Sequence, residues 1–283
     1  MSTYARGFAL VLGAALVWST GGLIVRSVTA EPWTTVFWRS ASCATFLLAY
    51  LWIAERRLPW RPFVQAGWIA VGLGAAFATS SISFVQALAL TTVANTLMIL
   101  SLAPIIAGLM ARLILKEPID GRTWIAIAVA ALGVCVMMGR LPSGDDLLGT
   151  ALAALSATAY SCTVVIVRAR RDLPMVPGAF FAGVFAMLVS LPMAPTLAVS
   201  SHDLPLLLLF GAGQLGVGMA LFTNGARFIP AAVSSLISLA EIALGPVWVW
   251  LAYGENPGPW VLSGGAIVMA ALIVHTLAGR RRG

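Results

Sequence analysis

Two charged residues stand where charge is unfavourable. Glu241 lies about halfway along the apolar run 231–253, and Arg39 lies six residues after Trp33 in the run 33–54. A carboxylate at the centre of a hydrocarbon layer is disfavoured by about 2.5–3.5 kcal/mol on insertion scales, so Glu241 must face a cavity or a partner. There it could hold a cation or take up and release a proton. The plainer alternative is a structural carboxyl bonded to the hydroxyls or backbone of a neighbouring helix. Arg39 sits about 9 Å into its helix at 1.5 Å per residue. It could grip a carboxylate with two parallel hydrogen bonds, pair with Glu241, or snorkel to the headgroups along its own stem. If both charges line one cavity, they suit a zwitterion such as an amino acid.

Uncharged groups come next. Rings at Trp18, Trp38, Tyr160, Phe180, Phe181 and Trp248 could stack on an aromatic ligand or hold an ammonium by cation–π attraction. Ordinary packing or the interfacial belt is the alternative for each of them. Trp18 and Tyr160 stand apart because each precedes a serine, Ser19 and Ser161, in the middle of a run. Trp33, Trp60, Trp124 and Trp260 fall at run ends and read as belt residues. Of the polar side chains, Asn95 and Asn224 are the most unfavourable to bury. Ser80, Ser81, Ser83, Gln86, Gln214, Ser234 and Ser238 could line a path or serve as interhelical glue. The candidate ligand-binding set is therefore Trp18, Ser19, Trp38, Arg39, Asn95, Tyr160, Asn224 and Ser238, with Glu241 as the ion-coupling carboxylate. Pro104 and Pro246 each remove a helical hydrogen bond and predict bends.

Other chemistries lack their residues. Gly211-Ala-Gly213-Gln-Leu-Gly216 matches G-x-G-x-x-G, but Leu206 to Phe210 before it belongs to an apolar helix, not to the strand that a dinucleotide fingerprint needs. Small residues packing helices closely explain it. No H-E-x-x-H motif is present, and the two histidines are His202, in a loop, and His275, near the end of the last run. Cys43, Cys135 and Cys162 lie far apart inside apolar runs, so neither a disulfide framework nor a metal site is expected, and no cofactor is implied. Glu117 and Glu255 end runs beside Pro118 and Asn256-Pro257 and read as loop-facing.

The elements that position these residues follow from composition. The 283 residues are 60% hydrophobic and 10% charged, against about 25% charged in an ordinary soluble domain. Mean hydropathy is +0.96. A soluble enzyme, a secreted disulfide scaffold and a disordered regulator are excluded; an all-α integral membrane protein is predicted. A bilayer takes about 20 helical residues to cross. Charged and proline-rich punctuation divides the chain into ten apolar runs, near 7–25, 33–54, 65–89, 93–115, 123–139, 147–167, 175–199, 204–226, 231–253 and 259–278. The weakest boundary is Leu90-Thr91-Thr92. The run 7–25 is long enough to span and lacks a clear cleavage site, so it is expected as a retained first helix.

The net charge of +7 sits between these runs, so it reads as a topology signal and not as a nucleic-acid surface. With a cytoplasmic N-terminus, the inner segments hold thirteen bases: Arg6, Arg56, Arg57, Arg61, Lys116, Arg122, Arg168, Arg170, Arg171, Arg227, Arg280, Arg281 and Arg282. The outer segments hold Arg26 and Arg140 alone. Both termini are expected in the cytoplasm.

The chain also repeats itself. A shift of 142 lays Gly7, Ala9, Leu10, Trp18, Ser19 and Ile24-Val25-Arg26 on Gly149, Ala151, Leu152, Tyr160, Ser161 and Ile166-Val167-Arg168. A shift of 144 lays Gly67, Gly72 and Gly74 on Gly211, Gly216 and Gly218, and a shift of 138 lays Glu117 on Glu255. The second and seventh runs show no comparable match. Two units result, 1–141 and 142–283, each with five helices. Five is odd, so the second unit enters the membrane from the opposite side. Inverted repeats are a signature of secondary transporters, whose halves open alternately around a midplane site.

These features resemble the drug/metabolite transporter superfamily, in particular its ten-helix EamA-type exporters. The resemblance covers essentially the whole chain. It rests on Trp18-Ser19, Phe37-Trp38-Arg39, the Ala87-Leu88 region, and Pro104 followed by Lys116-Glu117. Glu241 stands where the family often has a Glu-Pro pair; here Ile242 replaces the proline and Pro246 follows later, which displaces the predicted kink. The resemblance implies an exporter of a small metabolite or amino acid in a bacterial inner membrane, of a kind commonly taken to be proton-coupled. The expected partners are a small-molecule substrate and membrane lipids, with the chain a monomer or homodimer. An intramembrane enzyme and an uncoupled channel are the competing readings.

Overall fold

A backbone inside hydrocarbon has only itself to hydrogen-bond, so the apolar runs fold as helices. The computed structural model describes residues 2–55, 60–91, 93–138, 147–254, 256 and 258–280. Expectations resting on Thr92, on the boundary between 141 and 142, and on Arg56, Arg57, Arg140, Glu255, Arg281 and Arg282 fall outside the described residues.

In chain order the helices are α1 (Thr3–Ser19), α2 (Gly21–Ser27), α3 (Pro32–Glu55), α4 (Trp60–Leu90), α5 (Val93–Leu100), α6 (Ala103–Ile114), α7 (Gly121–Met138) and α8 (Leu147–Ala169). They continue with α9 (Val176–Ser190), α10 (Asp203–Leu208), α11 (Val217–Gly225), α12 (Ala231–Ser238), α13 (Ala240–Tyr253) and α14 (Gly258–Arg280). A π-helical stretch, Leu209–Gly216, joins α10 to α11. Eight stretches among the described residues are long and apolar enough to cross a membrane: Thr3–Ile24, Pro32–Ala54, Trp60–Ala87, Asn95–Ile114, Leu147–Ala169, Asp203–Phe228, Ala231–Tyr253 and Gly258–His275. Gly121–Met137 and Val176–Ser190 are shorter apolar helices that complete the ten. The fold is all-α, with ten membrane helices in two inverted five-helix repeats.

Packing obeys a two-fold exchange of the repeats. The first span, α1, lies on α11 of the eighth, and its repeat mate α8 lies on α4, the third. The third packs on the seventh (α4 with α9), as the eighth packs on the second (the π-helical stretch with α3). The fifth and tenth, α7 and α14, pair with each other. Glycines permit the closest crossings. A Cβ at Gly211 would strike the Arg39 carbonyl oxygen, which accounts physically for the G-x-G-x-x-G pattern as helix packing.

Several spans differ from their sequence outline. The first is broken at Thr20, whose amide closes a tight turn on the Val17 carbonyl at 3.3 Å. The third begins with a short helical piece set off by Gly67, whose φ of 50° lies outside the helical region. The seventh was expected to run to 199 but ends at Ser190, ahead of Pro192 and Pro195. Its missing end instead crosses the start of α3, where Thr34 Oγ1 donates to the Thr196 carbonyl at 2.6 Å.

The fourth and ninth spans break in the same way, and not at the predicted prolines. The Leu102 amide bonds the Ile99 carbonyl, and the Ile105 and Ile106 amides bond the Leu102 carbonyl. A shift of 137 reproduces all three bonds, as Leu239 to Leu236 and as Ile242 and Ala243 to Leu239. Pro104 then falls in the first turn of α6, where a proline has no helical hydrogen bond to lose, and Pro246 lies inside the continuous helix α13.

Candidate functional site: a central cavity

The two repeats enclose a cavity of about 980 Å³. Both helix breaks border it, through Leu100 and Ala103 in one repeat and Ser238 and Leu239 in the other. Its wall reaches Val28, Ala30, Pro32 and Asn256, which belong to the loops at one end of the bundle. None of the described residues in the loops at the other end lines it.

Arg39 projects into this cavity from the second turn of α3 and is 8% exposed. Its Nη2 donates to Ser81 Oγ, and its guanidinium lies 4.9 Å from the centre of the Phe210 ring. The buried Nε has no partner among the described residues. The π-helical winding carries Phe210 to this position and Gln214 to the break in the first span, as expected of a segment type that gathers at functional sites. Gln214 Nε2 donates to the Trp18 carbonyl at 2.8 Å, while its Oε1 is buried without a partner.

Glu241 reaches the same cavity because the chain restarts as helix at Ala240, which places the carboxylate in the first turn of α13. The positive end of a helix dipole favours an anion there. Glu241 and Arg39 are close enough for each charge to act on the other. Among the described residues, no ion pair within 4.0 Å joins them. The cavity therefore holds two opposite charges, neither of them quenched by direct contact with the other.

Four aromatic rings cluster at the cavity wall, three of them lining it. Trp18 and Tyr160 each touch both Phe77 and Phe222, with centroid separations of 6.2 and 5.4 Å for Trp18 and 6.4 and 5.8 Å for Tyr160. Trp18 and Phe77 belong to the first repeat and Tyr160 and Phe222 to the second, so each repeat supplies two of the four rings. Tyr160 Oη donates to Ser238 Oγ at 2.6 Å, and Ser238 Oγ donates in turn to the Ser234 carbonyl at 3.1 Å. Ser19 donates to the Leu16 carbonyl at 2.6 Å and accepts from Trp248 Nε1 at 2.7 Å, clasping the first span's break to α13.

Six of the nine candidate residues thus share one cavity: Trp18, Ser19, Arg39, Tyr160, Ser238 and Glu241. Trp38, Asn95 and Asn224 do not line it. Trp38 Nε1 donates to the Leu197 carbonyl at 3.0 Å, in the segment after α9 that crosses the start of α3. Asn95 Nδ2 bridges to Thr91 at 3.1 Å and Thr150 at 2.7 Å, tying the two repeats, and Asn224 Nδ2 returns to the Ala220 carbonyl at 2.8 Å. Phe77 and Phe210 line the cavity without having been singled out in the sequence, whereas Ser81 and Gln214 had been placed only among many polar residues.

At the closed end, Glu117 faces a partner and not a loop. Arg168 reaches its Oε1 through Nε at 3.0 Å and Nη2 at 2.7 Å, and sends Nη1 to the Arg227 carbonyl at 3.0 Å. The end of α8, the end of the eighth span and the segment after α6 are joined there, across both repeats.

Among curated proteins, none matches the chain in sequence. A solved crystal structure of a protein superposes with a TM-score of 0.86 over 98% of this chain and 99% of its own, at 18% identity, which establishes a shared fold. The model of the EamA-like transporter family matches twice in succession, over residues 5–139 and 147–277. A multi-pass membrane protein of two repeats around a central cavity is thus matched along almost its whole length, and the chain belongs to the EamA-like transporter family, membrane transporters of small molecules.

Proposed function

We propose that this chain exports a small zwitterionic metabolite, an amino acid or a related amine, across a bacterial inner membrane by alternating access. Its repeats, divided near residue 141, move about the central cavity, with both termini in the cytoplasm. The supporting observation is the pairing of Arg39 and Glu241 in one cavity without direct contact. A ligand carboxylate beside Arg39 and an ammonium beside Glu241 would satisfy both charges at once, and Trp18 and Tyr160 add faces that attract a cation. With the positive-inside orientation, the open end of the cavity is periplasmic, so the conformation described is the outward-open one. Glu241 then serves as the coupling carboxylate: it accepts a proton from the periplasm when the ligand's ammonium has left and returns it on the cytoplasmic side.

Counterflow in proteoliposomes tests this reading. Preloaded amino acid should accelerate uptake of labelled amino acid, saturably, and more than the matching amine or carboxylic acid does. Flux without saturation or counterflow would mean a channel. Exchange of the amine and the acid as readily as the zwitterion would remove the role assigned to the charge pair.

A further inference from the structure

Three glycines stand in the cavity wall: Gly21, Gly22 and Gly245. Glycine destabilises a helix relative to alanine, so its presence needs a reason. For Gly21 the reason is packing, since a Cβ would come within 2.8 Å of Gln214 Nε2. Elsewhere in the bundle Gly211 and Gly264 face the backbone of a neighbouring helix, a closer constraint than the side-chain end that Gly21 faces. Gly22 and Gly245 have no such neighbour. A Cβ at Gly245 would meet nothing nearer than the Ser19 carbonyl at 3.7 Å, and one at Gly22 nothing nearer than Val249 Cγ2 at 3.8 Å. Neither residue has a positive φ. Neither packing nor backbone geometry requires them, and what their missing side chains leave behind is cavity.

We propose that Gly22 and Gly245 are specificity-determining residues. They set the width of the cavity between α2 and α13 and so the size of the side chain that a bound zwitterion can carry. The proposal deepens, and rests on, the transport reading above. Both glycines lie on the open side of Glu241, Gly245 one turn along α13 from it, so a ligand whose charged end reaches Arg39 and Glu241 extends its side chain past them. A competing role is flexibility, because Gly245 precedes Pro246 and such pairs are where helices bend. The two roles separate under graded substitution. Lost flexibility is complete at alanine and indifferent to ligand size, whereas lost width grows from alanine to valine to leucine and affects large ligands first.

The test uses the full-length protein with Gly245→Ala, Gly245→Val and Gly245→Leu, and Gly22→Val as a second site. Binding of glycine, alanine, leucine and phenylalanine to purified protein is measured for each. Glycine and alanine should bind as they do to the parent, while leucine and phenylalanine weaken by about tenfold or more per step, as for a methylene misfit in an apolar pocket. An equal loss for all four ligands at Gly245→Ala, or an unchanged size profile at Gly245→Leu, overturns the proposal. If no amino acid binds the parent protein, the zwitterion reading fails, and width is read separately from Ile242→Cys, deeper in the same wall. Gly245→Val should slow its reaction with a bulky thiol reagent far more than with a small one. Equal slowing overturns the width role whatever the substrate is.

Discussion

A guanidinium held in an apolar bundle needs acceptors, and Arg39 has one hydroxyl, one aromatic face and an Nε left over. That surplus of donors is what a carboxylate ligand would consume. Hydrogen bonds to charged groups are worth about 1.5–3 kcal/mol. Arg39→Gln should therefore weaken carboxylate-bearing ligands by about 10–100-fold, with little change for amines of the same skeleton; equal losses for both, measured by competition binding, would make Arg39 structural. Glu241→Gln removes the proton site and the partner of the ligand's ammonium together: flux driven by a pH gradient should disappear, substrate exchange at uniform pH should persist at raised substrate concentration, and pH-driven flux at the parental rate would reject the coupling role. Both residues were legible in the sequence because an ionised group inside an apolar run is conspicuous wherever it points. Trp38, Asn95 and Asn224 were not, for a physical reason. A membrane helix is apolar all round, so periodicity gives no face, and an amide there serves equally well as interhelical glue. The same blindness hid Phe210, which is indistinguishable in sequence from any packing phenylalanine until the π-helical winding aims it at Arg39.

Interruption, more than helix, distinguishes the elements of this protein. The number and order of the spans were legible, since about 20 apolar residues and alternating basic loops are strong signals. The breaks were not. Prolines at 104 and 246 pointed to bends, yet the fourth and ninth spans break at Leu102 and Leu239, and the second break has no proline beside it. Matched turns at corresponding places in two repeats are what place irregular backbone at a midplane site. In the first span the break at Thr20 is held by its neighbours, with Ser19 accepting from Trp248 at 2.7 Å and the Trp18 carbonyl accepting from Gln214 at 2.8 Å. If the Ser19–Trp248 bond fixes the break against α13, Ser19→Ala and Trp248→Phe should each destabilise the protein, and the double substitution should cost less than their sum by about 1 kcal/mol, the usual worth of such a bond. Unfolding in detergent supplies the double-mutant cycle, and strict additivity would mean that the bond contributes nothing to holding the break.

For the molecule as a whole, the alternating access proposed above requires two related end states, and the asymmetry between the ends of the cavity distinguishes them on that reading. One end is open to the cavity; at the other, Arg168 of the second repeat holds Glu117 of the first and the carbonyl of Arg227. The side chains of this pair are 18% and 16% exposed, so the contact is partly withdrawn from water and leaving either charge without its partner is more costly than at the surface. In the proposed cycle, opening this end would break the pair, whereas the form taken as outward-open keeps it, so the pair would bias that equilibrium in one direction only. A bias of 1.4 kcal/mol is about tenfold in population, well within reach of one such contact. Arg168→Gln and Glu117→Gln should therefore each shift the protein toward the inward-open form. The measurement is labelling of Ile242→Cys by an impermeant thiol reagent, with Cys43, Cys135 and Cys162 replaced by serine. The parent should react from the side of Ala30 and Asn256, and either charge-removing variant should gain reactivity from the opposite side. The charge exchange Arg168→Glu with Glu117→Arg restores attraction and should restore the parental sidedness. Labelling that stays on the outer side in both single variants would show that the packed helices close the inner end without help from this ion pair.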